Sequence, residues 1–475
     1  MRKNMISVFT ALAISAGAVS AATVESVAAS QQWPWSIDIK VKYTLSDVTS
    51  PVDLKVSAIN EGETLAVPRN AISGDLYGIT SQSGSFTIDP AKAFGTARAA
   101  LTDLQIRIEL SDSTGNLDEA LYRIYDLNDG SCTDVTRRDL LNGRWGAVET
   151  DYKAIDSAFE TGLDDVLIWT GVTNNPAYKT DKLVMRKVHA KNVVWRSGDP
   201  DEASVSKFSK VAQNWVKLTY DYYISVFETT QAQYNKIMGS VPSGCIGDDS
   251  GCPVNNIYYH IVHGHPQVGQ GVNSGEIVCF PTNSYVRDVQ KTESFSAKMW
   301  SKTGVEFTLP TFVEWEFACR GGNDSALYSG EPQTLDNVRK LAWTGSDSGD
   351  KPGIVGTKLV NAYGLYDMLG NVMERTLGSG SANLGAISGS GLTSDDPAIN
   401  PLGNLVTVKD TNPYTCGGAS YTTQNDFGKW QDCRHAAKVA GWYEWWAQRT
   451  FIGFRLVCPV ARKWGADWPK TVLEE

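Results

Sequence analysis

The chain has 475 residues, of which 42% are hydrophobic and 20% charged, enough apolar side chain to bury ordinary cores and too much for a disordered polymer. Its 43 Lys and Arg stand against 53 Asp and Glu, an acidic balance that repels phosphate backbones, and no Lys/Arg cluster supplies the basic face that nucleic acid requires. At about 150 residues per domain, the length allows roughly three domains or two large ones.

Residues 1–22 read as a secretory signal. Arg2 and Lys3 begin it, Ile6 to Ala18 form the apolar stretch, and Val19-Ser20-Ala21 is a small-residue cleavage site. The remainder carries 41 basic and 53 acidic residues, a net charge of −12. No later run reaches the ~18 apolar residues that span a bilayer, so we expect an exported chain in the periplasm, at the cell surface or in the medium. In that oxidising setting its eight cysteines are disulfide partners before they are metal thiolates.

Residues 33–128 alternate with a period of two in WSIDIKVKYTL, PVDLKVSAI, SGSFTID, TDLQIRIEL and LYRIYDL. Half-buried strands read this way, and five at short spacing suggest a small all-β, immunoglobulin-like sandwich over residues 23–128. From 129 to 182 the alternation stops and Asp, Gly, Asn and Thr accumulate, so this stretch is a connector that can wrap on either neighbour. It holds Cys132, whose partner the sequence does not name.

From about residue 183 the chain is aromatic-rich and broken by Gly, Asn, Ser and Pro, with two clear helical stretches. In TTQAQYNKIMG, Thr229 or Thr230 caps the start, Tyr234, Ile237 and Met238 share a face, and Gly239 ends the helix. In LPTFVEWEFAC, Pro310 and Thr311 open a helix whose Phe312, Trp315 and Phe317 or Ala318 can pack inward. Residues 378–391, GSGSANLGAISGSG, read as a flexible loop. Trp315, Trp343, Trp430 and the WYEWW cluster at 442–446 suit core packing, with a carbohydrate-stacking platform as the alternative. Cys245 and Cys252 lie in SGCIGDDSGC, a Gly/Asp-rich turn that a local disulfide can close.

The order of motifs from 183 to 460 resembles the sulfatase-modifying-factor family, to which the formylglycine-generating enzyme belongs. KLTYDYYISVFETTQAQYNKIMG is similar to its opening strand and helix, and PVNNIYYHIVHG to its next strand. FTLPTFVEWEFACRGG, NAYGLYDMLGNVMER, CGGASY and IGFRLV resemble the later motifs in the right order. The resemblance implies an α+β, loop-rich, C-type-lectin-like domain over 183–460, followed by a tail at 461–475. It also implies a Ca²⁺ held by the side chains of Asp367 and Glu374 with the carbonyls of Gly370 and Val372, oxygen donors of the kind calcium takes. It places Cys319 beside the closing strand that carries Cys458, so a bridge between these two is implied.

The family's enzyme holds Cu(I) between two cysteines placed shortly after its double glycine, because soft thiolates suit that ion. Here Gly417-Gly418-Ala419-Ser420-Tyr421 is followed by TTQNDFGKWQDCRHAA, where only Cys433 remains, and Cys416 precedes the glycines. Copper chemistry is therefore not expected. His260, His263 and His265 in HIVHGH fit neither a helix face nor a strand face and read as a solvated loop. Glu314 and Glu316 point about 200° apart on their helix, so we read one as a packing clamp and the other as a surface charge. GQGVNSG lacks phosphate-loop spacing. The sequence thus points to a non-catalytic binding or structural module for a protein or glycan ligand. The alternatives are an oxidoreductase that uses Cys416 with Cys433, and a surface or matrix assembly component.

Overall fold

The computed structural model describes residues 21–31, 36–60, 62–95, 104–148, 167–200, 203, 211–263, 294–380, 392–401, 412–418, 433, 438–439 and 449–461. The signal residues 1–20, His265, GQGVNSG, most of the 378–391 loop, Trp430, the WYEWW cluster and the tail beyond 461 lie outside them. The chain divides into two units. The first holds residues 1–121, 135–148 and 169–171, and the second holds the rest.

In the first unit, strands β1 (Thr23–Gln31), β2 (Ile39–Ser46), β3 (Val52–Asn60), β4 (Glu63–Ala66), β5 (Ile72–Ser73), β6 (Ser83–Ile88) and β7 (Leu104–Asp112) form two sheets. One has the order β1-β2-β6-β5 and the other β4-β3-β7, every pairing antiparallel. The period-two alternation is what builds them. Ile39, Val41, Tyr43 and Leu45 of β2 are buried while Lys40, Lys42 and Thr44 face water. Leu54, Ala58, Ile106 and Ile108 from the second sheet share one apolar core with Val41, Phe86 and Ile88 from the first. β1 escaped the sequence reading because a bulge between Val24 and Ser26 interrupts its alternation.

The connector is split between the units. Residues 135–148 stay with the first, where Asn142 accepts the backbone N–H groups of Leu76 and Tyr77 at 2.8 and 3.0 Å, and Arg69 donates to the carbonyl of Leu141. Residues 122–134 go to the second, and with them most of LYRIYDL, a strand that the sequence pattern assigns to the sandwich.

β8 (Ala120–Asp126) and β9 (Cys132–Thr136), which belong mostly to the second unit, join its β10 (Lys182–Val188), β13 (Tyr222–Ser225) and β19 (Val457–Pro459) in a sheet of order β19-β13-β10-β8-β9. β11 (Val194–Ser197) and β12 (Asn214–Lys217) pair with β15 (Ala398–Ile399). β14 (Met373–Gly380), β16 (Asn412–Cys416), β17 (Lys438–Val439) and β18 (Ile452–Gly453) make a third sheet, of order β17-β16-β14-β18. Strands and helices are mixed throughout. Both expected helices form. Thr230 caps Gln231–Met238 in a reciprocal box with Gln233, and Gly239 closes it at φ 87°. Phe295–Thr303 is a third, capped by Ser294, whose buried face of Phe295, Ser296, Ala297 and Met299 includes a serine and so carried little apolar signal.

The helix Phe312–Arg320 is buried along its whole length and positions much of the second core. Thr311 caps it, and the Glu314 carboxylate returns to accept the Thr311 N–H at 2.7 Å. At its other end Asn361 donates to the carbonyls of Ala318 and Cys319 and accepts from the N–H groups of Tyr363 and Leu365. Glu316 is not the surface charge we expected. It is buried, accepting from Ser197 at 2.6 Å, the Gly198 N–H at 2.8 Å and Arg320 at 2.8 Å.

Burial pushes the Glu314 carboxyl up to about 7. A folded-state pKa raised above the ordinary glutamate value of 4.5 favours folding most below pH 4.5, and that stability is lost as pH rises through 7. Glu314→Gln keeps the cap acceptor and removes the titration. The variant should exceed the parent protein by up to about 2 kcal/mol at pH 8 and show no advantage at pH 4, as read by denaturant unfolding.

Candidate functional site

The segment Gly364–Arg375 forms the candidate site. It is not a helix or an open loop but a buried turn. Asp367 and Asn371 hold φ 55° and 59°, and Gly370 holds φ 74° where a Cβ would meet the Trp343 carbonyl oxygen. The Gly370 N–H donates to the Gly417 carbonyl at 2.7 Å and the Asn371 N–H to the Trp343 carbonyl at 2.9 Å, so the turn is fixed from both sides.

Three buried carboxylates meet around it. Glu374, at the start of β14, accepts Arg455 through both oxygens, Nε to Oε2 at 2.6 Å and Nη2 to Oε1 at 2.7 Å. Trp315 Nε1 from the central helix also donates to Oε2 at 2.6 Å. The remaining donors of Arg455 reach the carbonyls of Ser225 and Tyr366, each at 2.9 Å. One guanidinium therefore ties β13, the turn, β14 and the closing segment together.

Glu228 is the member that the sequence reading missed. It precedes the Thr230 cap in FETTQAQY, and its oxygens accept Asn371 Nδ2 at 2.6 Å and the Val372 N–H at 3.1 Å. Burial, then the charges of Asp367 and Glu374, push its carboxyl well above the usual range. Its glutamate beside a helix cap inside the opening motif was the available signal. Asp367 Oδ2 accepts the Gly356 N–H at 2.6 Å, while its buried Oδ1 has no hydrogen-bond partner. Desolvation raises Asp367 to about 6. Three carboxylates thus share the Arg455 guanidinium, with Lys179 acting on Asp367 as well, and the remaining negative charge calls for protons or a cation.

The donor set suits the implied calcium. Asp367 Oδ1 is an orphaned buried acceptor, Glu374 Oε1 keeps a lone pair beyond its bond to Arg455, and Gly370 and Val372 belong to the same turn. Among the described residues no group of three or more His, Cys, Asp and Glu side chains is gathered for a metal. The implied calcium set contains only two such side chains.

The other expected residues are dispersed. Cys416 pairs with Glu374 across β14 and β16 and is buried, as is Cys433, while 419–432 lie outside the described residues. His263 is not on a solvated loop. It ends a short helix, 1% exposed, with Nδ1 3.2 Å from Thr308 Oγ1, and burial lowers its pKa to about 3. The His260 side chain lies outside the described residues. Cys245, Cys252, Cys319 and Cys458 are all thiols. Cys252 Sγ donates to the Pro352 carbonyl at 3.4 Å, and Cys319 Sγ faces the Met368 carbonyl at 3.7 Å. Cys458 stands opposite Tyr223 between β13 and β19, and the implied Cys319–Cys458 bridge is not formed.

Removing Arg455 strands Glu374 among two other carboxylates. Arg455→Met should cost about 3–5 kcal/mol, and adding Glu374→Gln should restore more than half of that loss in a double-mutant cycle. Additive losses would show that the pair is not the clamp.

A curated relative, the chaperone protein LppX of Paenibacillus barcinonensis, is 27% identical over 197 residues, covering 36% of this chain and 68% of its own. The inactive C-alpha-formylglycine-generating enzyme 2 of Bos taurus is 44% identical over 77 residues, and the formylglycine-generating enzyme of Thermomonospora curvata 43% over 77. Each match covers 14% of this chain and 25% of the relative, so the chain spans about a quarter of those two proteins. Among solved structures, PvdO from Pseudomonas aeruginosa matches at TM-score 0.41 and 17% identity, over 58% of this chain and 94% of that one. Treponema denticola variable protein 1 matches at 0.39 and 22%, over 58% and 95%. The family profile of the sulfatase-modifying factor enzyme 1-like domain matches residues 184–460, more than half of the chain, and the chain belongs to that family.

Proposed function

We propose that this is an exported, non-catalytic member of the family that works as a binding or structural module for a protein or glycan ligand. One observation carries the reading. The stretch from Ala419 to Asp432 contains no cysteine, and the two that flank it, Cys416 and Cys433, are 1% and 0% exposed. Hydroxyl, amide and aromatic side chains there do not replace the two thiolates that Cu(I) needs. A relative named inactive and one named simply formylglycine-generating enzyme match over the same short length, so likeness does not choose between them. We read the first unit as an immunoglobulin-like sandwich and the second as a loop-rich, C-type-lectin-like domain, readings supported by the two-sheet core and by the mixture of short strands and helices.

The purified protein, incubated with copper, a reductant and a C-x-P-x-R peptide, should leave the peptide's cysteine mass unchanged. Conversion to the aldehyde above a metal-free control, abolished by Cys416→Ser or Cys433→Ser, would make it an oxidoreductase instead.

The acidic turn is proposed to be a structural Ca²⁺ site held by Asp367, Glu374 and the carbonyls of Gly370 and Val372, with the ion supplying positive charge and no chemistry. The orphaned Asp367 oxygen supports it. Chelation at pH 7 should lower the melting temperature of the parent protein by several degrees and leave Asp367→Ala unchanged. Equal curves with and without chelator in the parent protein would remove the ion from the proposal.

A further inference from the structure

Glu228 supplies no ligand to the proposed cation site, yet it grips the turn that carries the ligands. It is fully buried and reaches the turn from just before the Thr230 cap. Its Oε2 accepts Asn371 Nδ2 at 2.6 Å and its Oε1 accepts the Val372 N–H at 3.1 Å. Asn371 Oδ1 accepts the Gly353 N–H at 2.9 Å, so that side chain is held at both ends. Asn371 needs this grip. It sits at φ 59°, a left-handed conformation that a residue with a Cβ keeps only where its surroundings impose it. The amides on either side are taken up elsewhere, the Asn371 N–H by the Trp343 carbonyl at 2.9 Å and the Met373 N–H by the Phe451 carbonyl at 2.8 Å. In a planar trans peptide a carbonyl points away from the N–H that follows it, so the Gly370 carbonyl turns from Trp343, the Asn371 carbonyl from Glu228 and the Val372 carbonyl from Phe451. Among the described residues no hydrogen bond reaches the Gly370 or the Val372 carbonyl, although both residues are buried. Buried carbonyls are nearly always paired. With Asp367 Oδ1 they make three unpartnered oxygens on one turn.

We propose that Glu228 is the positioning residue of this turn: it touches no ion, and by holding the Asn371 side chain and the Val372 amide it keeps the Gly370 and Val372 carbonyls aimed for a cation. The inference rests on the calcium reading of the turn given above. Two donors converge on Glu228, and only a carboxylate offers each of them its own oxygen; a glutamine would meet one of them with its own N–H groups. Losing that hold lets Asn371 leave its left-handed conformation, which redirects the chain between the two carbonyls. Supports outside the ligand shell govern affinity in this way, and their loss typically costs about 10–100-fold in metal binding.

The test is calcium titration of the full chain by calorimetry, with residue-resolved amide hydrogen exchange beside it. Glu228→Gln, close to the parent side chain in size, should bind Ca²⁺ about 10–100-fold more weakly than the parent protein. In the parent protein the Val372 amide should exchange slowly in excess chelator and in saturating Ca²⁺ alike, because Glu228 holds it in both. Equal affinity in the two proteins would overturn the inference and leave the calcium reading standing, whereas a parent protein that binds no Ca²⁺ would end that reading and this inference with it. The exchange measurement needs no variant. Rapid Val372 exchange on chelation would show that the ion, not Glu228, shapes the turn, and rapid exchange on adding Ca²⁺ would show that the carboxylate leaves the amide to become a ligand. Either result would overturn the proposal.

Discussion

The bidentate pair of Arg455 with Glu374 is the contact on which the second unit depends. Neither ion is solvated, so each must be repaid by the other and by the carbonyls and the indole that surround them. Because the pair needs β13, the central helix, the 364–375 turn and the closing segment all in place, it forms only when the domain is complete. Much of the unit consists of short strands and turns that could not hold themselves.

The same centre explains why so little regular secondary structure suffices. Glu316 with Arg320, Asn361 with the helix end, and Asn371 with Glu228 repeat the device on a smaller scale, each using a buried polar side chain to satisfy backbone groups that a longer helix or wider sheet would satisfy by itself. Such networks are costly when incomplete. That cost gives the fold specificity rather than extra stability.

Legibility in the sequence followed the same division. β2, β3, β6 and β7 were readable because their alternation is clean, and the helices at 231 and 312 because Thr230 and Thr311 begin reciprocal caps and glycines end them. β8 buries Leu121 and Tyr122, then Ile124 and Tyr125, in adjacent pairs, and nothing local says which sheet it joins. Asp367 and Glu374 were legible by motif order. Glu228 was not, since its partners Asn371 and Val372 stand 143 and 144 residues away. The expectation that Glu316 faces water failed because helical angle gives direction around an axis and says nothing of how many sides are covered. The Cys245–Cys252 pairing failed because spacing cannot report which way a sulfur turns, and the Cys319–Cys458 pairing because motif order cannot report it either.

The path of residues 122–134 has a consequence for where this domain begins. The family profile starts at residue 184, but β8 pairs along β10 from Tyr122 to Asp126, and Arg186 at the centre of β10 lies 4.9 Å from the Tyr122 ring. The boundary of homology is thus not the boundary of folding. A fragment excised at 184 would turn an interior strand into a bare edge, exposing unpaired backbone to any passing chain. The stretch that the family shares folds here around a strand borrowed from outside it.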